Sequence, residues 1–486
     1  MDHSPSEPVP GCAGLRPAPL NAGRRPAHPG ETGSPLLLRG GTVLTLDPAA
    51  TVLPGADVLI EGGDLVAVGR VSMVPPGTRV LDVSGCLVLP GLIQGHLHLG
   101  QTFFRGLGEG RRLLAWLRER IWPLEAAHDD ESAYWCGMLG AMECLLGGTT
   151  TIQDIGIGPG APGLLRAIED SGLRAFAGEC LMDGGEGLPG AMRGETETVL
   201  ARTEALGQRF ESGGRSARRP RLRYLLNPRF ILTCSDPLWA GIRDLSERRG
   251  WPVHTHALEQ RDETLAVREI KNGRDEIEYF AEQGVLATDL RLAHGVWITA
   301  EHLQRVCNHR FSVVHCPSSN LKLGSGVADL LSIRSAGVPV GIGTDGAACS
   351  NQLDNFSEVR LAALLQKVKH GPDAFSGLDA LRLATSEGAR ALRLESEIGT
   401  LEAGKAADLV VLAAPSSGHP ELWGAREVDP HDLVAFGASR AAVRHVVVDG
   451  DLLVEDGRLT KLDAEEIFRE SERCLAALIR RSGVEL

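Results

Sequence analysis

The 486-residue chain has no uninterrupted apolar run of the about 18 residues that a membrane-spanning helix needs, so no helix is expected to cross a bilayer. It has no C-x-x-C pair either. Its ten cysteines are scattered, mostly inside apolar runs, which speaks against a disulfide framework and for reduced core thiols in a cytoplasmic protein. In that compartment the sequon Asn355-Phe-Ser has no role. A basic excess is missing as well: the formal charge is -13 and the pI about 5.6, whereas a nucleic-acid or membrane-surface binder carries a basic footprint. A partner of small-molecule size fits better. Residues 1–34 lack the apolar core of a signal peptide, and their Pro, Gly, Ser and Arg content predicts a disordered tail.

What is present falls into two kinds of pattern. At about 150 residues per domain the length suggests two or three units, unless part of it closes a strand–helix barrel of about 250 residues. From Pro35 to about Leu92 short β-type runs alternate with turn residues, and Glu61-Gly-Gly-Asp64 reads as a hairpin. This unit is too small to close a core alone, and its complement is expected at the far end, in the runs 407–415 and 443–459. The division expected is a composite β-sandwich from 35–90 and 396–460, an inserted domain at 91–395 and a C-terminal helix at 461–486. The insert alternates β-runs and helical patterns eight times, including a long charged helix from Asp262 to Gln283, and eight is the count of a closed (β/α)8 barrel. The fold class is therefore α/β, a TIM-like barrel inserted in a small composite β-sandwich, with chemistry expected at the carboxyl ends of the strands.

Those ends are where the chemistry-bearing residues stand. The first strand ends in His96-Leu-His98, two imidazoles one residue apart that an extended chain turns to the same side. Alone, such a pair is better read as a strand end satisfied by local hydrogen bonds. The fifth strand, however, ends in His254-Thr-His256-Ala-Leu-Glu259, the sixth in His294, the seventh in His315 and the eighth in Asp345. Five strand ends carrying metal-type or acid–base residues point to a metal-dependent catalytic site.

The motifs PGLIQGHLHL, HTHALE, LAHGVW, HCPSSNLKLGSG and GTDGAACSN, in that order, resemble the amidohydrolase superfamily, in the branch of adenosine-type and guanine-type deaminases and triazine hydrolases, over about residues 36–470. The resemblance implies one divalent metal, zinc or iron, held by His96, His98, His256 and Asp345. His256 is chosen over His254 because Glu259 follows it by three, and His254 is expected as a packed, hydrogen-bonded interior residue. The bridging lysine of two-metal members is missing from the fourth strand, and the H-x-E with P-C-x-x-C signature of the other zinc deaminase architecture is absent. The implied chemistry is attack by hydroxide made available at neutral pH, with Asp345 taking the proton, Glu259 shuttling it to a ring nitrogen and His294 steadying the tetrahedral charge.

For substrate the resemblance implicates Gln101, Trp116, Glu125 and Arg229. Trp116 and Glu125 match a stacking and a ribose-binding position of nucleoside deaminases, whereas Gln101 and Arg229 match guanine-recognition positions. The expected reaction is deamination of an amino-purine, an adenosine-type nucleoside first, with guanine or oxoguanine deamination, or a triazine-type aminohydrolase or chlorohydrolase reaction, as alternatives. The loop 183–197 is expected to cover the pocket. A binding protein that lost catalysis would miss a ligand or the shuttle, and none is missing. Gly341-Ile-Gly343-Thr-Asp-Gly346 matches a dinucleotide fingerprint, but its Asp is better used as a ligand and no acidic residue follows at the required distance. The resemblance also implies a homo-oligomer.

Overall fold

Two glycines set the first turn. Gly62 and Gly63 have φ of 59° and 89°, the two left-handed positions of a tight hairpin loop, and they join strand Val52–Glu61 to strand Asp64–Gly69 with Glu61 opposite Asp64. The computed structural model describes residues 34–213, 219–413 and 428–485. The expected tail lies outside these residues except for Ser34.

The two ends of the chain share one sheet. Strand Leu409–Leu412 runs antiparallel to Leu87–Pro90, with Leu409 opposite Pro90, and continues through Val443–Val448, Asp451–Glu455 and Arg458–Leu459. The strands of the expected composite sandwich are linked in one continuous nine-stranded hydrogen-bonded path. Continuity comes from strand Leu36–Leu44, whose pairing breaks at Gly40–Gly41: its first half pairs with Arg79–Asp82 and its second half with Leu87–Pro90. Apolar residues from both chain ends, among them Leu38, Val58, Val88, Leu409 and Val447, form its core.

Directly after Pro90 and Gly91 the chain enters the barrel. Strand one is Leu92–His98, two Thr149–Asp154, three Arg174–Ala177 with Cys180–Leu181, and four Leu222–Tyr224 with Asn227–Pro228. Strand five is Val253–Ala257, six Leu290–His294, seven Phe311–His315, and eight Val340–Ile342 with Asp345–Gly346. Each runs parallel to its predecessor; strands four and five meet at a Leu226–Val253 bridge, and strand eight returns to strand one through Asp345–Leu97 and Gly346–His98. The ring is closed, so eight carboxyl ends converge.

The long charged helix is a correction. It is two helices, Arg261–Ile270 and Glu276–Glu282, separated by Asn272 and Gly273 at φ of 54° and 85°. An Asn-Gly pair takes left-handed backbone cheaply and cannot continue a helix. The last helix, Ala464–Ser482, lies on Asp130–Leu146, where Ile467 packs against Met138 and Met142 and the Ser471 hydroxyl donates to the Trp135 carbonyl. Among the described residues no helix is long and apolar enough to cross a membrane, and all nine cysteines are free thiols.

Candidate metal and active site

Strand alternation puts His96 and His98 on one side, and ring closure brings them partners from strands five, six and eight. One donor atom from each of His96, His256, His294 and Asp345 lies within 4.8 Å of the others. His98 Nε2 stands 3.1 Å from Asp345 Oδ1 and 3.2 Å from His256 Nε2, and His96 Nε2 is 3.4 Å from Asp345 Oδ1.

Backbone carbonyls set the proton positions, because a carbonyl only accepts. His256 Nδ1 lies 2.6 Å from the Arg229 carbonyl and therefore carries a proton, leaving the Nε2 lone pair for the site. His254 Nδ1 donates in the same way to the Arg291 carbonyl at 2.9 Å, so its Nε2 accepts from His96 Nδ1 at 2.8 Å. His96 is thereby left with its Nε2 lone pair free. His254 is the packed interior residue expected, and in addition it orients His96, a role the sequence does not reveal. His98 is held otherwise: the Gln101 amide donates to its Nδ1 at 3.2 Å, which places the ring proton on Nε2, toward Asp345.

The electrostatics favour a cation. Burial drives His96 down to about 4 and His256 well below the usual histidine range, so both rings are neutral at pH 7. Burial raises the Asp345 carboxyl, but the His96 and His98 rings beside it outweigh burial and hold Asp345 well below the usual range. His96 Nε2 and His294 Nε2 are buried without a hydrogen-bond partner. Neutral imidazoles with an ionised carboxylate are the donor set of a divalent metal, and these residues fit one such ion.

Glu259 behaves in the opposite way. Burial first, and then the Asp345 charge, push its carboxyl well above the ordinary range. Its Oε2 is 3.6 Å from His294 Nε2. Two neighbouring carboxyls, one held ionised and one held protonated, are the arrangement of a proton acceptor beside a proton donor. The presentation is strained: His294, Asp345 and Leu258, the residue before Glu259, have φ of 73°, 60° and 55°, left-handed conformations that cost non-glycine residues about 1–3 kcal/mol each.

A cavity opens on this cluster, lined by His256, His294 and Asp345 together with Gln101, Trp116 and Arg229. Glu125 is not on its wall. Its carboxylate, fully buried, accepts from the Gln101 amide at 2.8 Å and from Arg229 at 2.5 Å. Burial works against the Arg229 charge, yet Glu125 holds the guanidinium above its usual range. Glu125 thus anchors two wall residues from behind. His315 is buried with both ring nitrogens unpartnered and does not join the cluster. The loop 183–197 backs the segment that carries Trp116: Glu186 pairs with Arg118, and Met192 packs in the same apolar cluster as Trp116 and Leu117.

The glycine-rich run of strand eight serves close packing. A Cβ on Gly343 would sit 2.4 Å from the His96 carbonyl oxygen, and one on Gly346 would sit 2.1 Å from Gln101 Oε1. The glycines let strand eight approach strand one, which accounts for the fingerprint match without a phosphate.

Comparison with known proteins agrees with this geometry. The model of the amidohydrolase family matches residues 87–453. The 5'-deoxyadenosine deaminase of Methanopyrus kandleri is 35% identical over 80% of this chain and 86% of its own length, and the 5-methylthioadenosine/S-adenosylhomocysteine deaminase of Halobacterium salinarum is 35% identical over 81% and 88%. Among solved structures, an adenosine deaminase from Xanthomonas campestris with bound zinc superposes with a TM-score of 0.82 at 28% identity, covering 92% of this chain and 98% of that one. The chain belongs to the amidohydrolase family and is a hydrolase of carbon–nitrogen bonds.

Proposed function

We propose that the protein is a metal-dependent deaminase that releases ammonia from an amino-substituted purine, with an adenosine-type nucleoside of the 5'-deoxyadenosine, methylthioadenosine or S-adenosylhomocysteine class as substrate. The observation that carries this reading is the meeting of Glu259, His294 and Asp345 with the histidine cluster on one cavity. Similarity to named adenosine-type deaminases supports the substrate class.

His96, His98, His256 and Asp345 would hold one divalent ion, zinc by analogy with the zinc-bound relative. Such an ion supplies Lewis acidity, which lowers the pKa of water from about 16 toward 7. His98, whose Nε2 proton now faces Asp345, would join such a set as the other neutral tautomer, with its ring proton on Nδ1 toward the Gln101 amide oxygen. Asp345, kept ionised, accepts the proton of the attacking water. Glu259, kept protonated by burial, donates to the ring nitrogen and makes the adjacent carbon electrophilic. His294, 3.6 Å from Glu259 and 3.9 Å from Asp345, lies between donor and acceptor and steadies the tetrahedral centre. Trp116 offers a flat apolar face to the base.

One observation favours guanine-type recognition as a second reading. Glu125, the ribose-binding candidate, is engaged by Arg229 and Gln101, so the wall presents an arginine and an amide. Ammonia release from 5'-deoxyadenosine, adenosine, methylthioadenosine, S-adenosylhomocysteine, guanine and 8-oxoguanine, with metal content measured on the same sample, decides between the two. Turnover confined to guanine and 8-oxoguanine rejects the adenosine reading, and turnover of none rejects both. We further assign residues 35–90 with 396–460 to a supporting β-domain, 91–395 to the catalytic barrel and 461–486 to a C-terminal helix, and read the protein as a cytoplasmic homo-oligomer without nucleic-acid or membrane partners.

A further inference from the structure

The motif HCPSSNLKLGSG lies after strand seven, and none of its residues takes part in the chemistry above. Its helix, Pro317–Lys322, and the turn that follows nevertheless reach three of the reacting groups. The Ser319 hydroxyl donates to Asp345 Oδ2 at 2.6 Å. Asn320 Oδ1 lies 2.9 Å from His294 Nδ1. The Ser325 hydroxyl lies 3.5 Å from Glu259 Oε1, and the Gln260 amide, next to Glu259, donates to the Leu323 carbonyl at 2.7 Å. Ser319, Asn320 and Ser325 are all buried. The segment is closed on itself by a 2.7 Å bond from the Ser325 amide to the Asn320 carbonyl.

His294 needs such a partner more than its neighbours do. Its φ of 73° takes it out of the strand conformation, so strand alternation no longer fixes where the ring points. Among the described residues the ring's one hydrogen bond at ordinary length is to Asn320, since Glu259 and Asp345 stand 3.6 Å and 3.9 Å from Nε2. An amide oxygen only accepts, so this bond keeps a proton on Nδ1 and leaves Nε2 as the end that meets the reacting atoms.

We propose that the segment 316–326 is a positioning bracket for the active site, and that Asn320 is the positioning residue that fixes the ring orientation and Nδ1 protonation of His294. The inference rests on the deaminase reading for its kinetic test, but its structural test stands apart from it. Asn320→Leu removes the acceptor at similar volume; Asn320→Asp keeps an oxygen in place.

In zinc-loaded protein the leucine variant is expected to retain its metal and a KM within about threefold of wild type while kcat falls about 30-fold or more, and the aspartate variant is expected to recover kcat to within about fivefold. Long-range proton–nitrogen spectra of protein carrying 15N-histidine read the ring directly, with the His294 signal identified by its loss in His294→Gln. A protonated Nδ1 in the wild type is expected. An unprotonated Nδ1 overturns the proposal. So does a leucine variant with unchanged kcat, or an aspartate variant as slow as the leucine one. If the wild type deaminates no purine, the functional reading fails, and the spectra still decide the role of Asn320. If the leucine variant does not fold, the wild-type spectra and the aspartate variant decide it.

Discussion

The two ends of the barrel strands treat buried charge in opposite ways. At the amino ends cations of the barrel strands face anions from the C-terminal part of the chain: buried Arg174, the first residue of strand three, makes a two-pronged contact with Asp408 at 2.7 and 3.0 Å and a further one with Asp449 at 2.9 Å, and half-buried Arg223 on strand four contacts both oxygens of Glu397 at 2.7 Å. At the carboxyl ends four histidines, Asp345 and Glu259 crowd together, and all but His96 line one cavity. Two of them, His294 and Asp345, are in left-handed backbone, and two ring nitrogens have no hydrogen-bond partner. One end is arranged for stability, whereas the other keeps groups under-satisfied so that a metal and a substrate complete them.

Breaking each end separately tests the contrast. The largest effect is expected from His256→Ala or Asp345→Ala, which should remove bound metal and lower turnover by about 1,000-fold or more while the chain stays folded. Full metal content in either variant, measured by elemental analysis beside ammonia release, would reject the ligand assignment. At the other end, Asp408→Ala leaves the Arg174 guanidinium buried without its main partner. It should cost about 3–5 kcal/mol in urea unfolding with metal content and KM unchanged. A loss of metal without a loss of stability would erase the distinction between the ends.

Glu259→Gln should keep its metal and lose about 100-fold in turnover, the mark of a proton shuttle that is not a ligand. Wild-type turnover in that variant rejects the role. Glu263, whose carboxylate accepts from the Glu259 amide at 2.9 Å, is raised to about 8 by burial and by its neighbours Glu276 and Glu259. With the folded value above an unfolded one of about 4.5, the fold retains this proton while the unfolded chain loses it, so the wild type loses stability as pH rises from about 4.5 to 8. Glu263→Gln does not titrate. Its advantage in urea unfolding should therefore grow across that window, by at most about 1.4 kcal/mol per pH unit, and level off above it. A pH-independent difference would contradict a protonated Glu263. The smallest effect belongs to the exposed pair Arg112–Asp262, where Arg112→Ala should change stability by less than about 1 kcal/mol.

Much of this was legible in the sequence because it depends on short range. The Glu61–Asp64 hairpin follows from two adjacent glycines, the barrel from eight alternations of strand and helix, and the HxH pair from strand periodicity. The break between Ile270 and Glu276 was missed because the charged pattern outweighed Asn272-Gly273. Glu125 was placed on the cavity wall because a motif gives a position and not the partner that occupies it.

By itself the sequence determined the kind of chemistry: which residue types end the strands, in what order, and that closure of a repeating strand–helix ring would gather them. Only the tertiary structure decided how each group is held. Arg229 meets Glu125 across 104 residues, and His254 meets His96 across 158. Contacts at such separations are set by the closed ring and not by local preference, and through them the fold chooses ring protons, holds one carboxyl ionised and its neighbour protonated, and turns a family motif into the bracket around His294.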